Sequence, residues 1–308
     1  MLSRAAERVY WLGRYIERAE NTARIVQQYS QLLLDLPEEV GVEWQDLVAI
    51  FGADDNVEAA SAGARERTIL NFLLADPLSS SSLAHSIRMA RDNIRNSRDL
   101  LPQEAWENAN ELHQYAKAHL SSASQGRNRF EILSDCIGRC QQINGILIGT
   151  MSHASPFHFL SLGQNIERAD MTSRIIDVAA AYLQQNEALV MRYGSTLWTN
   201  VLKSVSGFQM YRQYCQPEVE GMAVIDFLVN DTAFPRAIGA CIERARANAG
   251  ALPHGDAVRG SLDELLAFLP STLATELAGA EVSRLMDKLQ VELAGVHQVV
   301  VGTWFPPA

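Results

Sequence analysis

Two Glu-Arg pairs carry the richest chemistry in this chain. Glu17-Arg18 lies in LGRYIERAENTARIV (residues 12–26) and Glu167-Arg168 in LGQNIERADMTSRII (residues 162–176). A carboxylate can hold an amine or a metal, arginines can hold a carboxylate or a phosphate, and the two together can close a salt bridge. On a helix advancing about 100° per residue, Leu12, Tyr15, Ile16, Ala19, Ala23 and Val26 make one apolar arc. Glu17, Glu20 and Arg24 form a stripe along its edge, while Arg14, Arg18 and Thr22 fall on the opposite side of the wheel. The second segment repeats the stripe with Glu167, Asp170 and Arg174 and holds Arg168, but Gln164 stands where the first has Arg14. Two uses fit this pattern. The residues either close ion pairs at the border of the core, fixing how helices dock, or line an inter-helix cleft as ligand-binding or docking groups.

A further arginine stripe, Arg88, Arg91, Arg95 and Arg98, runs through IRMARDNIRNSR, and of these only Arg91 has a counterpart downstream, Arg246 in CIERARAN. The simplest reading is a solvated helix face. The alternative is that Arg91 and Arg246 answer the carboxylates of the repeated helices or contact an anionic ligand.

Metal chemistry is disfavoured by spacing. Di-iron helical bundles combine glutamates with Glu-x-x-His pairs, whereas this chain has Glu-x-x-Glu and Glu-x-x-Asp, each followed by Arg. His153 and His158 precede the second copy and have no counterparts before the first. No metal and no cofactor is expected, and no catalytic residue can be named: the chain has no G-x-S-x-G, no phosphate-cradling glycine loop and no H-E-x-x-H. Cys136, Cys140, Cys215 and Cys241 contain no CxxC and read as reduced, mostly buried thiols. The five tryptophans read as core or interface residues.

The elements that must position these groups are helices. Ala, Leu, Gln, Glu and Arg dominate, helical periodicity is nearly continuous, and alternating β-branched segments are missing, which predicts an all-α chain of roughly ten helices. Helix-ending chemistry falls at LLPQE (100–104), SHASP (152–156), QPEVEG (216–221) and ALPHGD (251–256). With 308 residues, 47% of them hydrophobic and 20% charged, the chain can bury a sizeable core. A net charge of −10 argues against a nucleic-acid partner, because phosphate binding needs clustered positive potential. No run of about 18 apolar residues is present to span a bilayer, and MLSRAAERVYW lacks the apolar stretch of a signal peptide, so a soluble cytoplasmic protein without a membrane partner is expected.

The Glu-Arg segments belong to a longer internal match. FLLADPLSSSSLAHSIRMARDN (72–93) aligns with FLVNDTAFPRAIGACIERARAN (227–248), and IGTM (148–151) echoes VGTW (301–304), in the same order and at nearly the same offset. A tandem duplication with halves at 1–154 and 155–308 is the expectation, folded into one intertwined bundle with pseudo-twofold symmetry in which the two Glu-Arg helices are candidates to face one another.

SRAAERVYWLGRYIERAENTAR, with FHFLSLGQNIERADMTSRIID and FLVNDTAFPRAIGACIERARANA beyond it, resembles the bacterial alpha-E family of all-helical proteins with a Glu-Arg motif, over essentially the whole chain. Genes of that family tend to sit beside, or be fused to, genes for circularly permuted ATP-grasp proteins, often near transglutaminase-like peptidases. The resemblance therefore implies a helical partner of an ATP-grasp ligase in a system that makes or modifies peptide or amide bonds, with a peptide or amino acid as its own ligand. The Glu-Arg helices would bind the acceptor or dock the ligase. An autonomous enzyme using the carboxylates, and a purely structural interaction module, are the competing readings.

Overall fold

The computed structural model describes residues 3–37, 40–52, 62–126, 128–183, 187–270 and 279–306. The described residues form thirteen α-helices and one π-helical turn, with no strand among them, so the protein is all-α. The long elements are α1 (Ser3–Asp35), α5 (Gln103–Ser124), α6 (Arg129–Thr150), α7 (Ser155–Leu183), α8 (Glu187–Ser204) and α13 (Gly279–Trp304). Medium elements are α4 (Leu83–Arg95), α10 (Gly221–Asn230), α11 (Ile238–Gly250) and α12 (Asp256–Phe268). The helix count exceeds the expected ten because short pieces interrupt the loops: α2 (Trp44–Ile50), α9 (Phe208–Tyr214) and α3 (Ala62–Leu70), which runs into the π turn Asn71–Ala75.

Helices α1 and α7 pack along each other at the centre. α1 also packs on α4 and α6, which α5 joins; α7 also packs on α11 and α13, which α12 joins. Two four-helix sets with the same order of neighbours thus meet through their first helices.

Central placement explains why α1 departs from the one-sided wheel. Its middle is buried on every side: Leu12, Ile16, Ala19 and Ala23 pack in the core, but so do Glu17, Glu20, Asn21 and Thr22. The side of the wheel that carries Arg14 and Arg18 meets another helix instead of water. A helix buried all round must pair whatever polar groups it carries, and that requirement shapes the site.

Close approach of α1 and α7 is set by two glycines. A Cβ on Gly13 would fall on the carbonyl oxygen of Leu160, and one on Gly163 would fall on the carbonyl oxygen of Tyr10. Each helix therefore presents its bare backbone to the other's, reciprocally, one turn before its glutamate. Any side chain here would hold the helices apart and move the charged groups out of register.

The segments leading into α4 and α11 share a local device. Asp76 Oδ1 accepts from the Leu78 amide at 2.9 Å, and the aligned Asp231 Oδ1 accepts from the Ala233 amide at 2.8 Å, each closing an Asx turn. Beyond it the two diverge. α4 starts on Ser82, whose Oγ accepts from the His85 amide at 3.0 Å, a standard N-cap. α11 starts on Ala237, with no side-chain cap, and the residue before it is Arg236.

A dry, reciprocal glutamate-arginine site

Glu167 on α7 faces two arginines of α1. Arg18 grips it with both ends of the carboxylate, Nε to Oε1 at 2.5 Å and Nη2 to Oε2 at 3.0 Å, and Arg14 Nε reaches Oε2 at 2.7 Å. Glu17 on α1 receives the reciprocal fork from α7: Arg168 Nε to Oε1 at 3.0 Å and Nη2 to Oε2 at 2.7 Å. Its second cation is Arg236, whose Nη1 donates to Glu17 Oε1 at 2.6 Å and to Asn21 Oδ1 at 2.7 Å. Two letters of one motif that point in different directions on a single helix are thus both used, because each Arg meets the Glu of the other copy.

Arg236 extends the network. Its Nη2 donates to Glu20 Oε1 at 2.8 Å, the oxygen that also accepts from Arg24 Nη2 at 2.6 Å and Gln141 Nε2 at 3.2 Å. The corresponding Asp170 carboxylate pairs with Arg174 alone among the described residues, at 3.0 Å, and remains partly exposed. The backbone holds Arg236 in place: Thr172 Oγ1 donates to its carbonyl at 3.0 Å, and Arg168 Nη1 donates to the Pro235 carbonyl at 3.3 Å.

Burial and charge here pull in opposite directions, and charge wins. Side-chain exposure is 0% for Glu17 and 1% for Glu167. Burial alone would raise their pKa values, but the facing arginines, Arg168 and Arg236 for one and Arg18 and Arg14 for the other, outweigh it and lower both to about 2. Burial likewise opposes the charge of Arg14, Arg18 and Arg168, yet the glutamates keep all three raised. Arg14 also lies over the Trp11 ring, 5.3 Å from its centroid, and Arg18 over Tyr15 at 5.7 Å, contacts that favour a desolvated guanidinium. Both carboxylates stay ionised, and both are sealed from solvent by the arginines that hold them.

The structure therefore gathers Arg14, Glu17, Arg18, Glu20, Arg24, Glu167, Arg168, Asp170 and Arg174 along one helix-helix seam. Its glutamates do not line an open cleft. The arginine flanks and the Asp170–Arg174 pair approach solvent, with 22% of the Arg18 side chain, 17% of Arg168 and 18% of Asp170 exposed. Two residues do not join the seam. Arg91 donates to Asn110 Oδ1 at 2.9 Å and lies over Trp106, and Arg246 pairs with Asp263; each packs its own four-helix set and answers no carboxylate of α1 or α7. Sequence reasoning missed Arg236, since its aligned partner is Ser81 and nothing repeats there. It also passed over Gly13 and Gly163, whose matched positions were the available signal.

No group of three or more His, Cys, Asp or Glu side chains gathers in metal-binding geometry among the described residues. His158 Nδ1 instead pairs with Asn248 Oδ1 at 2.9 Å, and His153 stacks on Phe157. Cys136, Cys140 and Cys241 are buried and Cys215 exposed. Burial pushes the Cys136 thiol up to about 12 and Cys241 to about 11, away from the thiolate form a nucleophile needs.

An all-helical chain organised around paired Glu-Arg motifs defines a recognisable class. Residues 1–305 match the Alpha-E family, described as a predicted alpha-helical domain with a conserved ER motif, and the chain belongs to that family. It is 24% identical over 311 residues to uncharacterized proteins of Mycobacterium bovis and Mycobacterium tuberculosis, matching over 94% of its own length and 34% of theirs. The chain thus spans about a third of the length of these curated relatives. No solved structure matches it. No described helix is long and apolar enough to cross a membrane.

Proposed function

We propose that this chain is a helical accessory subunit of an ATP-grasp ligase in a peptide- or amide-bond-forming system, and that its Glu-Arg motif organises the subunit instead of carrying out a reaction. The observation behind this reading is that Glu17 and Glu167 are both buried and each is held by two arginines. Carboxylates so committed are unsuited to general acid-base work at neutral pH. In the mycobacterial relatives the matching region is one part of a much longer chain, which agrees with a domain that acts beside others.

On this reading the halves 1–154 and 155–308 are two alpha-E repeats, supported by the matching neighbour order of their helices and the reciprocal Arg-Glu forks. Docking would use the arginine flanks and outer helices, because Glu17, Glu20 and Glu167 are out of reach. The test is reconstitution: the chain is purified with its neighbouring ATP-grasp protein, and ADP release and product are measured with and without it. Ligation that depends on the added chain, together with a stable complex, is expected. Full ligase activity without it, or turnover by the isolated chain, would overturn the reading.

A further inference from the structure

Away from the Glu-Arg seam, α4 and α5 part around a cavity of about 330 Å³. It exists because small residues meet there: Ala75 at the end of the π turn, Ala84 on α4 and Ala116 on α5 leave the helices nothing to interdigitate with. Its polar lining carries two cations, a histidine and the Ser121 hydroxyl. Arg88 comes from α4, His113 and Lys117 from α5, and none of the described lining residues is a carboxylate. In a chain of net charge −10 such a local excess is unusual, and the volume lies at the lower end of ligand-binding cavities.

Arg88 is only partly used by the protein. Its Nη2 donates to the Pro77 carbonyl at 3.3 Å and approaches His85 Nδ1 at 3.2 Å, which fixes the direction of the guanidinium. Its Nε is buried and has no hydrogen-bond partner among the described residues. A buried donor on a charged group costs stability unless something accepts from it. A planar guanidinium that the protein satisfies only in part is suited to a carboxylate or phosphate.

We infer that the α4–α5 cavity is a binding site for a small oxyanion, a carboxylate or a phosphate group, held by Arg88 and Lys117 with His113 as a third donor. The groups around His113 agree. Arg88, Arg91 and Asp92 face it from α4 and Lys117 from its own helix; burial lowers its pKa first, then Arg91, with Asp92 acting in opposition. His113 is thus neutral in the empty cavity, and an anion among these cations would draw a proton onto it. Binding should tighten as pH falls toward the ordinary histidine range.

The test titrates the isolated chain with inorganic phosphate and, separately, with succinate, by calorimetry, while NMR follows the His113 ring, assigned with His113→Asn. One saturable site is expected for at least one anion, with an upward shift of the His113 pKa on saturation and affinity about tenfold weaker in Arg88→Gln and in Lys117→Gln. Which anion saturates tells phosphate from carboxylate. Lys117 is exposed, so Lys117→Gln keeps the test valid if Arg88→Gln fails to fold. Absence of saturable binding at millimolar concentrations of both anions overturns the inference, as does binding to folded Lys117→Gln with unchanged affinity.

Discussion

The two carboxylate nests of the α1–α7 seam do the same electrostatic job with different parts. Glu167 takes both of its arginines, Arg14 and Arg18, from one helix turn of α1. Glu17 takes Arg168 from α7, but the position matching Arg14 is Gln164, which instead donates to Asn144 Oδ1 at 2.7 Å. The missing cation arrives from the segment before α11 as Arg236, where the first half has Ser81. A buried carboxylate between two helices evidently requires two guanidinium groups, while the chain is free to choose where the second comes from. That is the expected behaviour of a desolvated charge, which is costly unless compensated but indifferent to the covalent origin of its partner.

The largest effect should come from removing a carboxylate. Glu17→Ala strands Arg168 and leaves Arg236 with Glu20 and Asn21 alone, Glu167→Ala strands Arg14 and Arg18, and each should cost about 3–5 kcal/mol in chemical denaturation. A loss below about 1 kcal/mol in either would show that the nests are solvated, contrary to their burial. Acid should reproduce the loss without mutation. Both glutamates have folded pKa values lowered from 4.5 to about 2, so their contribution is complete above pH 4.5 and is lost as pH falls from there toward 2. His297, hydrogen-bonded to Tyr10 at 2.9 Å, has a pKa lowered from 6.5 to about 4 by burial and then by Arg14. It favours the neutral ring, so it adds a milder loss between pH 6.5 and 4, which His297→Gln should remove from the melting-temperature profile.

Next in size is the glycine crossing. Gly13→Ala and Gly163→Ala each place a methyl group on a carbonyl of the facing helix and should cost about 3 kcal/mol through overpacking. Equal losses would confirm a symmetric crossing; a silent substitution on one side would locate slack there.

Smaller and more discriminating are the arginine exchanges. Arg236→Gln should destabilise more than Arg14→Gln, since Arg236 also serves Glu20 and Asn21, with losses of about 2 and 1 kcal/mol respectively. Adding Gln164→Arg to Arg236→Gln places an arginine at the position equivalent to Arg14, and it should recover part of the stability. If the double variant melts below Arg236→Gln, the two nests are not interchangeable. The smallest change is expected for Asp170→Asn, under about 1 kcal/mol, because the Asp170–Arg174 pair is partly exposed, whereas Glu20→Gln disturbs a buried carboxylate and should cost more.

The sequence alone determined much of this protein. Periodicity and composition gave the all-helical class, since amphipathic spacing and helix-ending residues are local properties, and the repeated segments around Glu17 and Glu167 singled out the two helices that lie at the centre. Three things were decided only in the tertiary structure. The wheel placed Arg14 and Arg18 opposite the apolar arc, but a wheel shows direction and not what occupies it, and here that space is filled by α7. Arg91 and Arg246 align as well as the true partners do, yet they face α5 and α12 because matching positions fix a residue within its own half and not its reach across to the other. Arg236 carries no repeat signal, because charge compensation works through space: Glu17 needs a guanidinium within hydrogen-bond distance, and only the folded chain shows which of its 23 arginines comes near enough to supply it.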